Sequence, residues 1–313
     1  MLAFLARRLG SGVLLVAVIS TLTFFLLYFS SDGVARNILG DNATPEQLVA
    51  KKHELGLDQP ILSRFFDWAA HALQGNLGSS WFTSQPVLDA LSTRLPVTMT
   101  LVISSILVAA ILATLLGMTA AVKGGWIDRL VQFVAIGGFA VPGFVVAVAS
   151  VTVFAVNLAL LPATGWVPFD QNPALWLQSL VLPVSSLVIA TVASAAQQIR
   201  SAFKDILTRD WVRTLRSRGL KEREILFKHV LRSAAPAGLT VLSLQFVGLM
   251  GGSVIIESIF SLPGMGQLAV QSTAQGDTPV VMGVVVISVI IVIVVNLVVD
   301  LVNGWLNPKV RVS

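Results

Sequence analysis

The sequence predicts an all-α polytopic membrane protein with six transmembrane helices and both termini on the cytoplasmic side. Three observations carry that reading. Of the 313 residues 55% are hydrophobic and only 12% charged, about half the charge of a typical soluble domain, and the mean hydropathy is +0.83. The charges are gathered so as to leave long uncharged runs, and the basic residues collect in alternate connections between those runs. A soluble chain with so few charges would expose large apolar patches, so soluble one- or two-domain folds are excluded. The absence of cysteine removes disulfides, thiolate metal sites and a cysteine nucleophile.

A spanning helix needs about 20 mostly apolar residues. Arg7-Arg8 precede the first uncharged run, Leu9 to Ser31. It is long and no small-x-small cleavage site follows cleanly, so it reads as a retained first span near 9–30 rather than a signal peptide. Leu95 to Val122 gives a second span near 97–122. Leu130 to Phe169 is uncharged for 40 residues, but Leu161-Pro162-Ala163-Thr164-Gly165 ends it after one span near 131–160, kinked at Pro142-Gly143. Further runs give spans near 178–199, 236–258 and 280–303. The run Ser258 to Gly276 contains Pro263-Gly264-Met265-Gly266, a density of helix breakers that makes it a re-entrant or surface segment.

Short cytoplasmic loops carry excess Lys and Arg. With both termini inside, 16 of the 21 basic residues fall on the inner side. The organisation expected is a first anchor helix over 1–30, an extracytoplasmic segment over 31–95 and a transmembrane core over 96–313. The outer segment carries a cap signal, Thr44-Pro45-Glu46, for a helix running towards Leu55. A second amphipathic run over Ile61 to Leu73 places Phe65, Trp68, Ala69 and Ala72 on one side. Such a segment suits a surface for a soluble partner, or, through Trp68, Trp81 and Phe82, one lying flat on the outer leaflet.

Residues Arg200 to Arg232 hold ten basic residues and four acids, with apolar positions at helical spacing, as in 207/211/215 and 226/230. Gly219 lies between the two runs and permits the left-handed turn that joins two short helices. A positive-inside loop, a lipid-surface helix and a docking element for a soluble partner all suit that pattern. Nucleic acid does not, because no stacking aromatics or binding motif accompany the charge.

Other features exclude chemistries. None of the seven lysines follows a glycine, so there is no Walker A loop. No histidine lies in a span to activate a serine. His53, His71 and His229 are unclustered, which gives no metal site. Neither midplane charges nor an inverted repeat supports an ion-coupled secondary transporter. Glu257 and Asp300 lie near span ends, where a carboxylate can serve structure. Pro142 and Gly143 form a candidate hinge or a static bend, and Gly117, Gly137, Gly138, Gly248, Gly251 and Gly252 allow close helix approach.

The run from Asp210 to Arg232, with Asp210, Arg213, Thr214, Arg216, Gly219, Leu220, Glu222, Ile225, His229, Leu231 and Arg232 at the matching positions, resembles the cytoplasmic loop of permeases of ABC importers, in particular the dipeptide and oligopeptide family. Trp211, Leu215 and Arg218 stand where that family usually has Tyr, Ala and Lys. The bulkier Leu215 is expected to alter packing on a partner. Further similarities are Leu55-Gly-Leu-Asp-Gln-Pro-Ile61, Gly75-Asn-Leu-Gly-Ser79 (more often Gly-Asp-Leu-Gly), Leu161-Pro-Ala-Thr-Gly165, the stretch Glu257 to Leu268, Asp277-Thr-Pro279, Asn296-Leu-Val-Val-Asp300 and Asn307-Pro-Lys-Val-Arg311, where the family usually ends on Asp-Pro-Arg. The similarity thus covers nearly the full chain.

The resemblance implies an ABC-importer permease fold with an extended outer segment. It implies the B-type permease subunit for di- and oligopeptide uptake, multi-pass in the plasma (inner) membrane of a prokaryote and not itself an enzyme. Implied partners are a second, C-type permease, two cytoplasmic ATPase subunits that bind ATP and Mg, an extracytoplasmic peptide-binding protein and the lipid bilayer; this chain holds no cofactor. The coupling residues implied, within the loop 200–235, are Arg213, Thr214, Leu215, Arg216, Gly219, Leu220, Glu222, Ile225 and His229. A nickel-importer permease of the same superfamily is the nearest alternative.

Overall fold

A computed structural model describes residues 2–29 and 33–306; the signature Asn307 to Arg311 lies outside the described residues. Among these every regular element is helical. In chain order they are α1 (Leu2–Phe29), α2 (Val34–Leu39), α3 (Pro45–Glu54), α4 (Ile61–Leu73), α5 (Val87–Lys123) and α6 (Gly125–Ala140), then α7 (Gly143–Asn157), α8 (Pro173–Leu207), α9 (Asp210–Ser217) and α10 (Glu222–Ile259), and finally α11 (Met265–Gln275) and α12 (Thr278–Leu306). Five of them, α1 over Ala6–Tyr28, α5, α8, α10 and α12, are long and apolar enough to cross a membrane, and α6 with α7 makes a sixth if the pair is one span.

The third span differs from a kinked helix: α6 and α7 are bent by 87° at their break. The reason is local. A residue before proline is pushed out of the helical region, and here Val141 (φ −91, ψ 118) and Pro142 (φ −60, ψ 137) are both extended. Two consecutive extended residues turn the chain, where a proline inside a continuous helix would only tilt it. Pro96 and Pro183 do sit inside continuous helices. The fourth span begins earlier than the expected 178, because the Asn172 side chain accepts from the N–H groups of Ala174 and Leu175 and Pro173 occupies the first turn, a favoured start. It also runs beyond Arg200 to Leu207.

The chain forms two compact units, residues 1–98 with 263–293, and residues 99–262 with 294–313. In the first, Leu77, Val87, Leu91, Met265, Val280 and Val284 make the core. Thr44 and Gln47 close a reciprocal capping box at α3, as the Thr44-Pro45 signal predicts. The segment over 258–276 is not a span: Gly264 precedes α11 and Gly276, left-handed at φ 82, ends it. Asp277 follows, almost fully buried, accepting from Ser80 Oγ and, at 3.2 Å, from the Trp81 N–H. Burial pushes its carboxyl up, against those hydrogen bonds.

In the second unit α8 is the hub, packing on α6, α7 and α10, with 67% of its most apolar window buried against 17% for α1. Close approach of α5 to α8 needs Gly117, where a Cβ would lie 2.9 Å from the Ala196 carbonyl oxygen. Gly138 serves α6 likewise, its Cβ position 3.2 Å from Ala193 Cβ, whereas Gly137, Gly248 and Gly251 face open space. Phe133 on α6 is 76% exposed, as suits a lipid-facing surface, whereas Phe139, 72% exposed, lines a cavity at the α6–α7 break.

Candidate functional site

The basic segment folds as a helix, a tight turn and a longer helix. Beginning at Asp210, α9 ends in a left-handed Gly219 at φ 79. The Leu220 N–H bonds the Leu215 carbonyl at 3.3 Å and the Gly219 N–H bonds the Arg216 carbonyl at 3.0 Å. These are the two bonds of a Schellman closure, whose usual companion is an apolar contact between the same flanking positions. Leu215 and Leu220 are both half-buried against one core cluster. The helix after the turn is not short: α10 continues into the fifth span through a π-helical turn at Ile225–Val230.

This geometry decides what the apolar face of the segment covers. Val212, Ile225 and Val230 are buried in a cluster with Ile199 and Phe203 of α8, and Ile206, Leu207, Leu215, Leu220 and Leu231 pack against it. The periodic apolar face therefore sits on this chain's own core. Leu215, expected to touch a partner, points inward for the same reason. What remains outside is mostly polar: Arg213, Thr214, Arg216, Gly219 and Glu222 are exposed, together with two aromatic residues, Trp211 at 39% and Phe227 at 52%. Arg216 grips Glu222 across the turn with two hydrogen bonds, 3.1 and 2.6 Å, which raise the Arg216 pKa further. His229, half-buried in the π turn, lines a shallow surface hollow with Trp211, Lys228 and Arg232.

A feature the loop motif does not reveal lies at the root of this element. Asp128, in the first turn of α6 and 7% exposed, accepts from Arg200 Nε, from Arg200 Nη2 at 2.6 Å and from Lys204 Nζ at 2.8 Å. The available signal was modest: Asp128 is the lone acid between Lys123 and Arg129. Its partners are the two basic residues that close the uncharged run of the fourth span. Neutralised there, they let α8 continue towards α9.

On the same two helices a cavity of about 370 Å³ opens, walled by Pro142 and Gly143 from the α6–α7 break, Ser186 and Ser194 of α8, and Gln245 and Gly252 of α10. Gln245 donates to Ser194 Oγ at 2.9 Å. The wall is mostly apolar with a few hydroxyl and amide groups. Among the described residues no group of His, Cys, Asp and Glu is arranged to hold a metal ion. Glu257 is fully buried at the end of α10.

Two families match. Residues 113–312 match the binding-protein-dependent transport system inner membrane component family. Residues 1–102 match the binding-protein-dependent transport system membrane component, N-terminal. A Brucella abortus (strain 2308) protein carrying the name of a peptide transport system permease is 36% identical over 312 residues, 99% of each chain. The dipeptide transport system permease of Lactococcus lactis subsp. cremoris is 33% identical over 314 residues, 100% of each. Among solved structures, an inward-facing conformation of the MetNI methionine ABC transporter aligns with a TM-score of 0.58 at 18% identity, covering 72% of this chain and 100% of that one; at that identity the likeness is one of fold.

Proposed function

This chain belongs to the binding-protein-dependent transport system inner membrane component family, and from that premise we propose that it is the B-type permease of a di- or oligopeptide importer in a prokaryotic plasma membrane. It lines half of the path, and a second permease lines the rest. ATP and Mg are bound and hydrolysed by two separate ATPase subunits, and an extracytoplasmic binding protein delivers the peptide. Relatives named for peptide and dipeptide transport support the substrate class.

The observation that carries this reading is the mounting of the exposed turn around Gly219. An ATPase that moves the polar tip moves α9, and α9 is fixed to α8 and α10 through Val212, Ile225, Ile199 and Phe203. Those two helices also wall the cavity beside Pro142. A displacement at one end therefore reaches the other through packed helices, which transmit strain because interiors are dense. Arg213, Thr214, Arg216 and Glu222 offer the ATPase charge and hydrogen bonds. Gly219 shapes the tip, Leu215, Leu220 and Ile225 hold it to the core, and His229 adds an imidazole to the surface hollow beside Trp211.

Reconstitution of the chain with its neighbouring subunits in vesicles tests the proposal. Uptake of labelled di- or oligopeptide that requires ATP, both ATPases and the binding protein is the expected result. Uptake without any ATPase would overturn it, and ATP-driven nickel uptake without peptide uptake would overturn the substrate class.

A further inference from the structure

In the first unit a second hollow, about 200 Å³, is lined by Phe24 of α1, Gln59, Arg64, Asp67 and Trp68 of the α4 region, and Trp81. Arg64, Asp67 and Trp68 stand at i, i+3 and i+4, so they share one face of α4. Two of these residues carry donors with unmet hydrogen-bonding capacity: Arg64 Nη1 and Trp68 Nε1 are shut from solvent and have no acceptor among the described residues. Buried donors left in that state are costly, more so when charged, so an acceptor brought to them is favoured. Desolvation pushes the Arg64 pKa down, although Tyr28 and Asp58 oppose it. The guanidinium also lies 6.0 Å from the Phe24 ring centre and 5.8 Å from that of Tyr28, cation–π distances.

The depth of this hollow is set by α1. The apolar span of that helix ends at Tyr28, and Phe24 and Tyr28 therefore lie at the membrane–water boundary, where aromatic residues concentrate. On α4 itself Leu62, Phe66 and Leu73 are 57%, 66% and 90% exposed. An amphipathic helix with bare apolar residues at that level lies in the interface plane. The hollow thus combines two unpaired donors, one of them cationic, with an exposed carboxylate and aromatic walls, at headgroup depth.

We propose that this hollow binds the headgroup of a zwitterionic phospholipid of the phosphoethanolamine type. The phosphate oxygens accept from Arg64 Nη1 and Trp68 Nε1, and the ammonium meets the Asp67 carboxylate and the face of Trp81. A headgroup with phosphate but no ammonium leaves Asp67 facing an anion, so the site discriminates by charge pattern.

Mass spectrometry of the full chain released intact from detergent, with phosphatidylethanolamine or phosphatidylglycerol added at equal concentration, tests this. Preferential retention of phosphatidylethanolamine is expected. Arg64→Gln should weaken retention of both lipids by about tenfold or more, the scale of one charged hydrogen bond. Asp67→Asn, at an exposed position where folding is not at stake, should abolish the preference while retaining phosphatidylglycerol. Equal retention of the two lipids by the unaltered chain would overturn the proposal, as would an Asp67→Asn variant with unchanged preference. Displacement of the lipid by a free dipeptide, which also carries an ammonium and an anion, would overturn it in favour of a solute site.

Discussion

Replacing Gly219 gives a graded test of whether the turn acts through its backbone shape. The residue sits at φ 79, and an added Cβ would meet nothing within 4 Å. Crowding is therefore absent and only the left-handed conformation resists substitution. That conformation costs an L-residue about 1–2 kcal/mol; asparagine tolerates it well, alanine less so, and a β-branched residue is the worst case. Leaving it would also break the Gly219 and Leu220 N–H bonds to Arg216 and Leu215, each worth about 1 kcal/mol. Valine thus faces a choice between strain of roughly 2 kcal/mol or more and an opened turn of similar cost. Neither is enough to unfold α9, whose Val212 remains buried. In the reconstituted transporter peptide uptake should fall in the order Gly, Asn, Ala, Val. ATP hydrolysis and subunit assembly should persist, so that the ratio of peptide moved to ATP hydrolysed drops most for Gly219→Val. Wild-type uptake by Gly219→Val would refute the reasoning. Equal failure of Asn and Val would refute it too, since bulk at the tip and not backbone conformation would then be limiting.

Three further outcomes are expected. Asp128→Ala strands Arg200, whose side chain is 17% exposed, and should destabilise by about 3 kcal/mol, the lower end for a broken buried pair, because Lys204 at 40% is partly hydrated; a fall in thermal midpoint in detergent checks it, and an unchanged midpoint would show the cluster to be dispensable. Gly117→Ala places a methyl against the α8 backbone, 2.9 Å from the Ala196 oxygen and 3.0 Å from the Arg200 nitrogen, and overpacking should cost about 1–3 kcal/mol, while Gly248→Ala, with open space around it, should be nearly neutral in the same melt. Ser80→Ala removes the hydroxyl that donates to buried Asp277 and accepts from the Phe82 and Thr83 N–H groups; a loss of about 1–3 kcal/mol is expected as earlier proteolysis of the 80–86 loop.

How far these features could be read in advance depended on what kind of physics set them. Uncharged run length identified the long helices because lipid exposure is a local property of each side chain. Helix ends were less legible. The run rule stops the fourth span at Arg200, but the helix goes on because Asp128, distant in sequence, neutralises Arg200 and Lys204. In the loop, period and Gly219 located the turn, since both are local. The partner of the apolar face was not legible: spacing grouped Leu207, Trp211 and Leu215, whereas the fold packs Leu207, Val212 and Leu215 against Phe203 and leaves Trp211 39% exposed. The six-residue α2 is too short to show a period, and the π-helical turns have no sequence period of their own.

The candidate hinge can now be narrowed. Along α6 the contacts with α8 run in antiparallel register: Asp128 with Arg200, then Gly138 with Ala193 and Ile189, then Gly143 opposite the Ser186 carbonyl. The helix is thus fastened to α8 at its start by charge and near its end by a close approach only glycine allows. Rotation of α6 against α8 would have to break the Asp128 cluster, so the charge contacts resist it. Freedom is left where the helical hydrogen bonds are interrupted, at Val141 and Pro142. Gly143 follows at the start of α7, where a Cβ would make an ordinary 3.5 Å contact with the Ser186 oxygen. The joint is therefore made by proline and its predecessor, and it sits on the cavity wall. Under the proposed coupling, a displacement of the turn at Gly219 carried by α8 and α10 would meet the cavity wall at this break.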